Sequence, residues 1–190
     1  MIILKDSNNI SVGLYQLKIS LKHVTPPIWR RFVVKGSIKF YDLHAVIQEI
    51  MGWMNSHLHQ FIINDEYYAP TFEDIEQIGI NYKRIKLNDF IFKEGQKFIY
   101  EYDFGDGWEH ILVLEKITDD NAYPNTPVCL SGKRNCPPED CGGVGGYENL
   151  LKTIKNPKDP EYANMIEWLG GKFDSEFINI ERINDFLKHM

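Results

Sequence analysis

A chain of 190 residues with 43% hydrophobic and 25% charged residues has the ordinary globular mix and the length of one domain, long enough to bury a core without a covalent staple. Its net charge of −6 weighs against non-specific nucleic-acid binding, which draws on Lys and Arg. No apolar run approaches the roughly 20 residues of a membrane span, and MIILKDSNN lacks the apolar stretch of a signal peptide.

In chain order, LYQLKISLK (14–22) alternates strictly, with Tyr15, Leu17, Ile19 and Leu21 on one face, and predicts a half-buried strand. The prolines of TPP (25–27) end it, and IWRRFVV (28–34) resumes as a second strand antiparallel to the first. Leu43, Val46, Ile47, Ile50 and Met51 then recur at helical spacing, with Asp42 as candidate N-cap and Gly52 as stop. HLHQFII (57–63) returns to alternation and puts His57, His59, Phe61 and Ile63 on one side of a third strand; NDEYYAP reads as a turn. Residues 71–90 show no firm period.

GQKFIYEYDF and WEHILVLEKI flank a Gly-Asp-Gly turn and predict a hairpin, with Phe98, Tyr100, Tyr102 and Phe104 sharing a face, as do Ile111, Val113 and Ile117. Pro, Gly, Asn, Asp and Cys dominate 120–146, which reads as a long ordered loop. Helical stripes follow: Leu150, Leu151 and Ile154; then Tyr162, Met165, Ile166 and Leu169 after Asp159-Pro160; then Ile180, Ile183 and Leu187. The expected fold is therefore a single α+β domain over 1–190. Residues 14–119 form mainly sheet with one helix, 120–146 a loop, and 147–190 the helical part, around an antiparallel sheet of about five or six strands.

Six stretches stand here in one order: TPPIWRRFVV, DLHAVIQEIMGW, SHLHQF, YEYDFGDGWEH, CLSGKRNCPPEDCGGVGGY and EWLGGKFD. Together, from about Leu14 to Phe177, they resemble the plasmid pRiA-type ORF-3-like family, whose members travel with plasmids and insertion sequences. The resemblance implies an α+β domain and no established activity. Two features depart from the family's pattern: 71–84 is longer, and Cys141 stands where an aliphatic residue is usual.

Three constellations bear chemistry. An H-x-H on a strand aims His57 and His59 the same way, and Asp103 or His110 from the hairpin end could complete a mixed N/O sphere for a divalent metal such as zinc, with Asp106 or Glu109 as catalytic base. Equally, Asp103 and Asp106 could do no more than bond turn amides, and His59 could be a core histidine. Cys129, Cys136 and Cys141 form a separate, weaker metal-ligand set, whose spacing is wider than the C-x2-4-C of structural zinc and lacks a fourth ligand nearby; buried free thiols are the plainer reading. GGVGGY lacks the lysine and hydroxyl of a phosphate loop. Trp29, Arg30 and Arg31 could contact nucleic acid or a ligand, or form internal ion pairs. The leading expectation is a cytoplasmic, non-catalytic binding module for an unknown ligand or protein partner, with no membrane contact and no required cofactor. A metal-dependent hydrolase is the alternative, and a nucleic-acid-binding accessory protein the weaker one.

Overall fold

A computed structural model describes residues 13–71, 79–119, 122–123 and 125–190. The N-terminal MIILKDSNN and residues 72–78 of the 71–90 segment lie outside the described residues.

Alternation builds the centre. The strands β1 (Leu14–Leu21) and β2 (Trp29–Lys35) pair antiparallel, with Leu17 opposite Phe32 and Ile19 opposite Arg30. Helix α1 (Phe40–Met51) follows, stopped by Gly52 in the left-handed conformation, and its Leu43, Val46, Ile47, Ile50 and Met51 are buried as their spacing demands. Its N-cap is Lys39 rather than Asp42, which sits in the first turn, where a carboxylate still meets the positive end of the helix. Next come β3 (His59–Ile63), β4 (Glu66–Ala69), β5 (Ile80–Asn81), β6 (Lys97–Tyr102), β7 (Trp108–Thr118) and β8 (Val128–Lys133). The helices α2 (Gly143–Ile154), α3 (Tyr162–Trp168) and α4 (Ile180–Leu187) complete the chain.

Among the described residues the sheet has eight strands in the order β5-β4-β3-β6-β7-β1-β2-β8, not five or six. The additional strands are short and lie where the sequence reads as turn or loop. NDEYYAP is a hairpin whose Asn64 and Asp65 both take positive φ, so the strand β4 begins directly at Glu66. The strand β5 is two exposed residues paired parallel to β4, and β8 lies within the Pro- and Gly-rich 120–146 stretch. Strands this short, β5 and β8 at the two edges and β4 just inside one of them, bury too little on one face to show a period of two. Asn184 of α4 covers the β8 edge as a strand would: its Oδ1 accepts from the Cys129 N–H (2.7 Å) and its Nδ2 donates to the Cys129 carbonyl (2.9 Å).

One sheet face carries the core. Tyr15, Leu17, Ile19, Phe32, Phe61, Phe98, Tyr100, Tyr102, Trp108, Leu112 and Leu114 join the buried side of α1 in one cluster. On β7 the buried residues are thus Trp108, His110, Leu112 and Leu114, while Ile111 and Val113 lie half-buried opposite. Ile117 does not share their face. Leu17 pairs with Leu114 but Gln16 with Lys116, so Glu115 is an inserted bulge residue and Ile117 turns to the core side, opposite Tyr15.

Candidate functional site

The β6–β7 turn shows why its sequence is DFGDG. Asp103 adopts φ +57°, a left-handed conformation that Asp tolerates better than most residues, and its N–H donates to the Leu58 carbonyl (2.8 Å). Its Oδ1 accepts from the Gly105 and Asp106 N–H groups at 3.0 and 3.2 Å, closing the turn. Asp106 in turn accepts, through Oδ2, from the Gly142 N–H at 3.0 Å, tying the turn to the start of α2. The approach is close enough that a Cβ on Gly143 would lie 2.5 Å from the Asp106 carbonyl oxygen, and one on Gly146 would lie 1.8 Å from that of Cys141. Gly143 therefore serves backbone packing against the hairpin, and Gly146 against the preceding loop.

This packing delivers a second group to the hairpin end. Residues 136–140 are held by Trp53, whose Nε1 donates to the Pro137 carbonyl (3.0 Å) and whose ring stacks on Tyr102 with centroids 4.9 Å apart. Glu139 Oε1 accepts from the Met54 N–H (2.8 Å) and from the Tyr102 hydroxyl (3.0 Å), which itself accepts from the Ser56 N–H.

His57 sits in the middle, just before β3. Its Nε2 lies 3.1 Å from Asp140 Oδ1, 3.5 Å from Glu139 Oε2 and 3.6 Å from Asp103 Oδ2. That nitrogen is buried, yet it has no hydrogen-bond partner among the described residues. The ligand atoms of His57, Asp103 and Asp140 all lie within 4.8 Å of one another, the one group of its kind among the described residues. Metal–ligand bonds of about 2.1 Å at angles of about 90–120° place neighbouring donor atoms roughly 3.0–3.6 Å apart. The separations from Nε2 fall in that range, which ion pairs share, and the three candidate ligand atoms span up to 4.8 Å among themselves. Asp103 spends Oδ1 on the turn amides and leaves Oδ2 towards His57, Glu139 Oε2 takes a longer bond from the Tyr102 hydroxyl (3.3 Å) as well as facing His57, and Asp140, with 71% of its side chain exposed, opens the site to solvent.

The other sequence candidates go elsewhere. His59 stacks face to face on His44, with centroids 3.4 Å apart and planes 2° apart, and bonds to the Tyr82 hydroxyl. Burial pushes the His44 pKa down to about 4 and that of His59 to about 3, the latter helped by His44. His110 is fully buried, donates from Nδ1 to the Tyr100 carbonyl (3.1 Å), and is pushed down to about 4 by burial. Glu109 lies on the opposite sheet face, paired with Lys22. Cys129 and Cys136 are buried and Cys141 partly so, all as free thiols. Burial raises Cys129 to about 11 and Cys141 to about 12, and Cys136 further still, which favours the protonated thiols. Among the described residues no metal-holding group includes a cysteine.

Arg30 is buried and donates to the carbonyls of Ile50, Trp29 and Lys133 (2.8–3.1 Å). Arg31 forks onto Glu115 through Nε (2.6 Å) and Nη2 (2.9 Å), and with Lys18 flanks the Trp29 ring. Glu139 and Asp140 are site residues that the sequence reading passed over. Their signal was an acidic pair set in a Pro-stiffened loop, CPPEDCGG.

Residues 13–182 match the family model described as plasmid pRiA4b ORF-3-like protein. The chain belongs to the plasmid pRiA4b ORF-3-like family. It is 37% identical over 174 residues to the uncharacterized protein y4hQ of Sinorhizobium fredii (strain NBRC 101917 / NGR234), spanning 90% of this chain and 89% of that protein. The crystal structure of MM3350, a protein of unknown function from Methanosarcina mazei Go1, is similar with a TM-score of 0.81 and 37% identity, covering 90% of this chain and 97% of that one. The pRiA4b ORF-3-like domain is thus an α+β fold with C-terminal helices. No helix among its described residues is long and apolar enough to cross a membrane.

Proposed function

We propose that this pRiA4b ORF-3-like chain is a metal-dependent hydrolase whose divalent cation is held by His57 Nε2, Asp103 Oδ2 and Asp140 Oδ1. The observation that carries this reading is the buried His57 Nε2: three carboxylates converge on it within 3.1–3.6 Å, and it hydrogen-bonds to none of them. One imidazole with hard carboxylate oxygens suits zinc, manganese or iron(II). Held by these residues, such a cation would supply Lewis acidity that makes water a nucleophile at neutral pH. Glu139, beside the proposed ligands and fixed by Met54 N–H and the Tyr102 hydroxyl, would take that water's proton on Oε2. Asp140, 71% exposed, would hold the cation at the solvent edge of the site.

Elemental analysis after zinc or manganese loading and desalting tests the reading. About one ion per chain, lost in His57→Ala and in Asp103→Asn but kept in His59→Ala, is the expected result. No ion under any loading condition overturns it. The nucleic-acid reading draws no comparable support, since Arg30 is enclosed and Arg31 is committed to Glu115.

A further inference from the structure

Arg30 and Arg134 are about equally buried, and they differ in what answers their charge. Arg134, 3% exposed, bonds Glu176 through Nε at 2.7 Å. Arg30, 2% exposed, has no carboxylate within ion-pair distance among the described residues. Burial works against its charge and pushes its pKa down, yet a guanidinium keeps its proton inside proteins. A buried charge is ordinarily paired, and this one is not paired from within the chain.

Its hydrogen bonds leave one nitrogen over. A guanidinium has five N–H donors. Nε donates to the Ile50 carbonyl at the end of α1 (2.8 Å), and Nη1 to those of Trp29 (2.9 Å) and Lys133 (3.1 Å). These bonds tie α1, β2 and β8 together and account for the burial of the side chain. They do not use Nη2, which has no partner among the described residues and is not sealed from solvent-sized space.

Arg30 lines a cavity of about 350 Å³ between the end of α1 and the segment that enters α4. That volume is at the small end of ligand sites and suits a small molecule. Phe177, Ile178 and Phe186 give it an apolar wall, and Phe177 and Phe186 are 54% and 49% exposed. Two further charges line it, Glu49 and Arg182, and the Arg182 charge reaches the Glu49 carboxyl. These two cancel, so the charge left unanswered is the positive one of Arg30. A monoanion neutralises it, whereas a phosphate ester with close to two negative charges overshoots and meets Glu49. A single free nitrogen also makes an end-on contact with one oxygen, not the two-nitrogen fork that suits phosphate.

We propose that this cavity binds an organic monocarboxylate with a short apolar chain, the carboxylate on Arg30 Nη2 and the chain along Phe177, Ile178 and Phe186. The site is separate from the His57 cluster and needs no metal: His57, Asp103, Glu139 and Asp140 do not line it.

The test titrates hexanoate, hexanamide and hexyl phosphate, which share a six-carbon chain and differ in charge, into the metal-free full chain by calorimetry. NMR shifts of the Trp53 indole, which also lines the cavity, place the bound molecule. Hexanoate is expected to bind at one per chain, at least about tenfold more tightly than either of the others. Arg30→Lys should weaken it at least about tenfold. If that variant fails to fold, Glu49→Gln decides, because it leaves the Arg30 bonds in place. With the Glu49 charge gone, Arg30 and Arg182 are both unanswered, so hexanoate should bind at least about threefold more tightly and hexyl phosphate should draw level with it. Phe186→Ala should weaken hexanoate about threefold with the unfolding midpoint little changed. No hexanoate binding, equal binding of hexanamide, a wild-type preference for hexyl phosphate, or an unchanged hexanoate affinity in Glu49→Gln overturns the proposal.

Discussion

His57 and His59 are two residues apart and end in opposite chemical situations. His57 precedes β3, keeps an unpartnered Nε2 and faces three carboxylates. His59 opens β3, lies flat on His44 and is buried among Tyr82 and Tyr100. Spacing alone therefore does not make a ligand pair. What distinguishes them is the partner that the rest of the chain brings: the Glu139-Asp140 loop and the Asp103 turn to one, and α1 to the other. Acid near an imidazole favours cation binding, whereas an aromatic wall favours a neutral ring.

The largest expected effect separates the two by metal. His57→Ala should weaken zinc binding by about 100-fold or more by titration calorimetry, and His59→Ala by less than about threefold. Equal losses would erase the distinction. Stability should order them the other way: removing the buried His59 ring leaves a cavity and should cost about 2–4 kcal/mol in denaturant unfolding, against about 1 kcal/mol or less for His57→Ala without metal.

Acid sharpens the contrast further. His44, His59 and His110 have folded pKa values pushed down to about 4, 3 and 4 from an unfolded value near 6.5. Between these limits the unfolded chain binds more protons, so their stabilising contribution is complete above about pH 6.5 and is lost as the pH falls towards 4. Each depressed histidine contributes a slope of the order of 1 kcal/mol per pH unit in that window. In His59→Ala the slope of stability against pH should be shallower by about one such increment; an unchanged slope would mean that His59 is not held neutral in the fold.

A finer division lies within Asp103, whose two oxygens serve turn and site separately. Asp103→Asn keeps an acceptor for Gly105 and Asp106, so thermal stability should change by about 1 kcal/mol or less while zinc affinity falls at least about tenfold. Asp103→Ala should lose both. The smallest effect is expected at Arg31→Ala, where a partly exposed fork onto Glu115 contributes about 1 kcal/mol or less; salt titration of the unfolding midpoint checks it.

The family, the α+β class, the first hairpin pair, α1 and the 97–118 hairpin were all legible because each rests on neighbours in sequence. A period of two or 3.6, or Asn-Gly-like turn chemistry, is written in consecutive residues. Even there the bulge at Glu115 was invisible, since it is defined only by its partner strand, and Ile117 changed faces with it. The short strands β4, β5 and β8 were illegible for a related reason: two to six residues with one exposed side carry no pattern of their own. In the candidate site, His57 and Asp103 were visible as residue types, but their companions were not. Glu139 and Asp140 lie more than 30 residues along the chain from Asp103. They arrive because Trp53 bonds Pro137, and because glycines at 143 and 146 let α2 press its backbone against Asp106 and Cys141. Local order follows from propensity and periodicity within the chain; the meeting of one imidazole with three carboxylates follows from packing between distant segments, which only the tertiary structure decides.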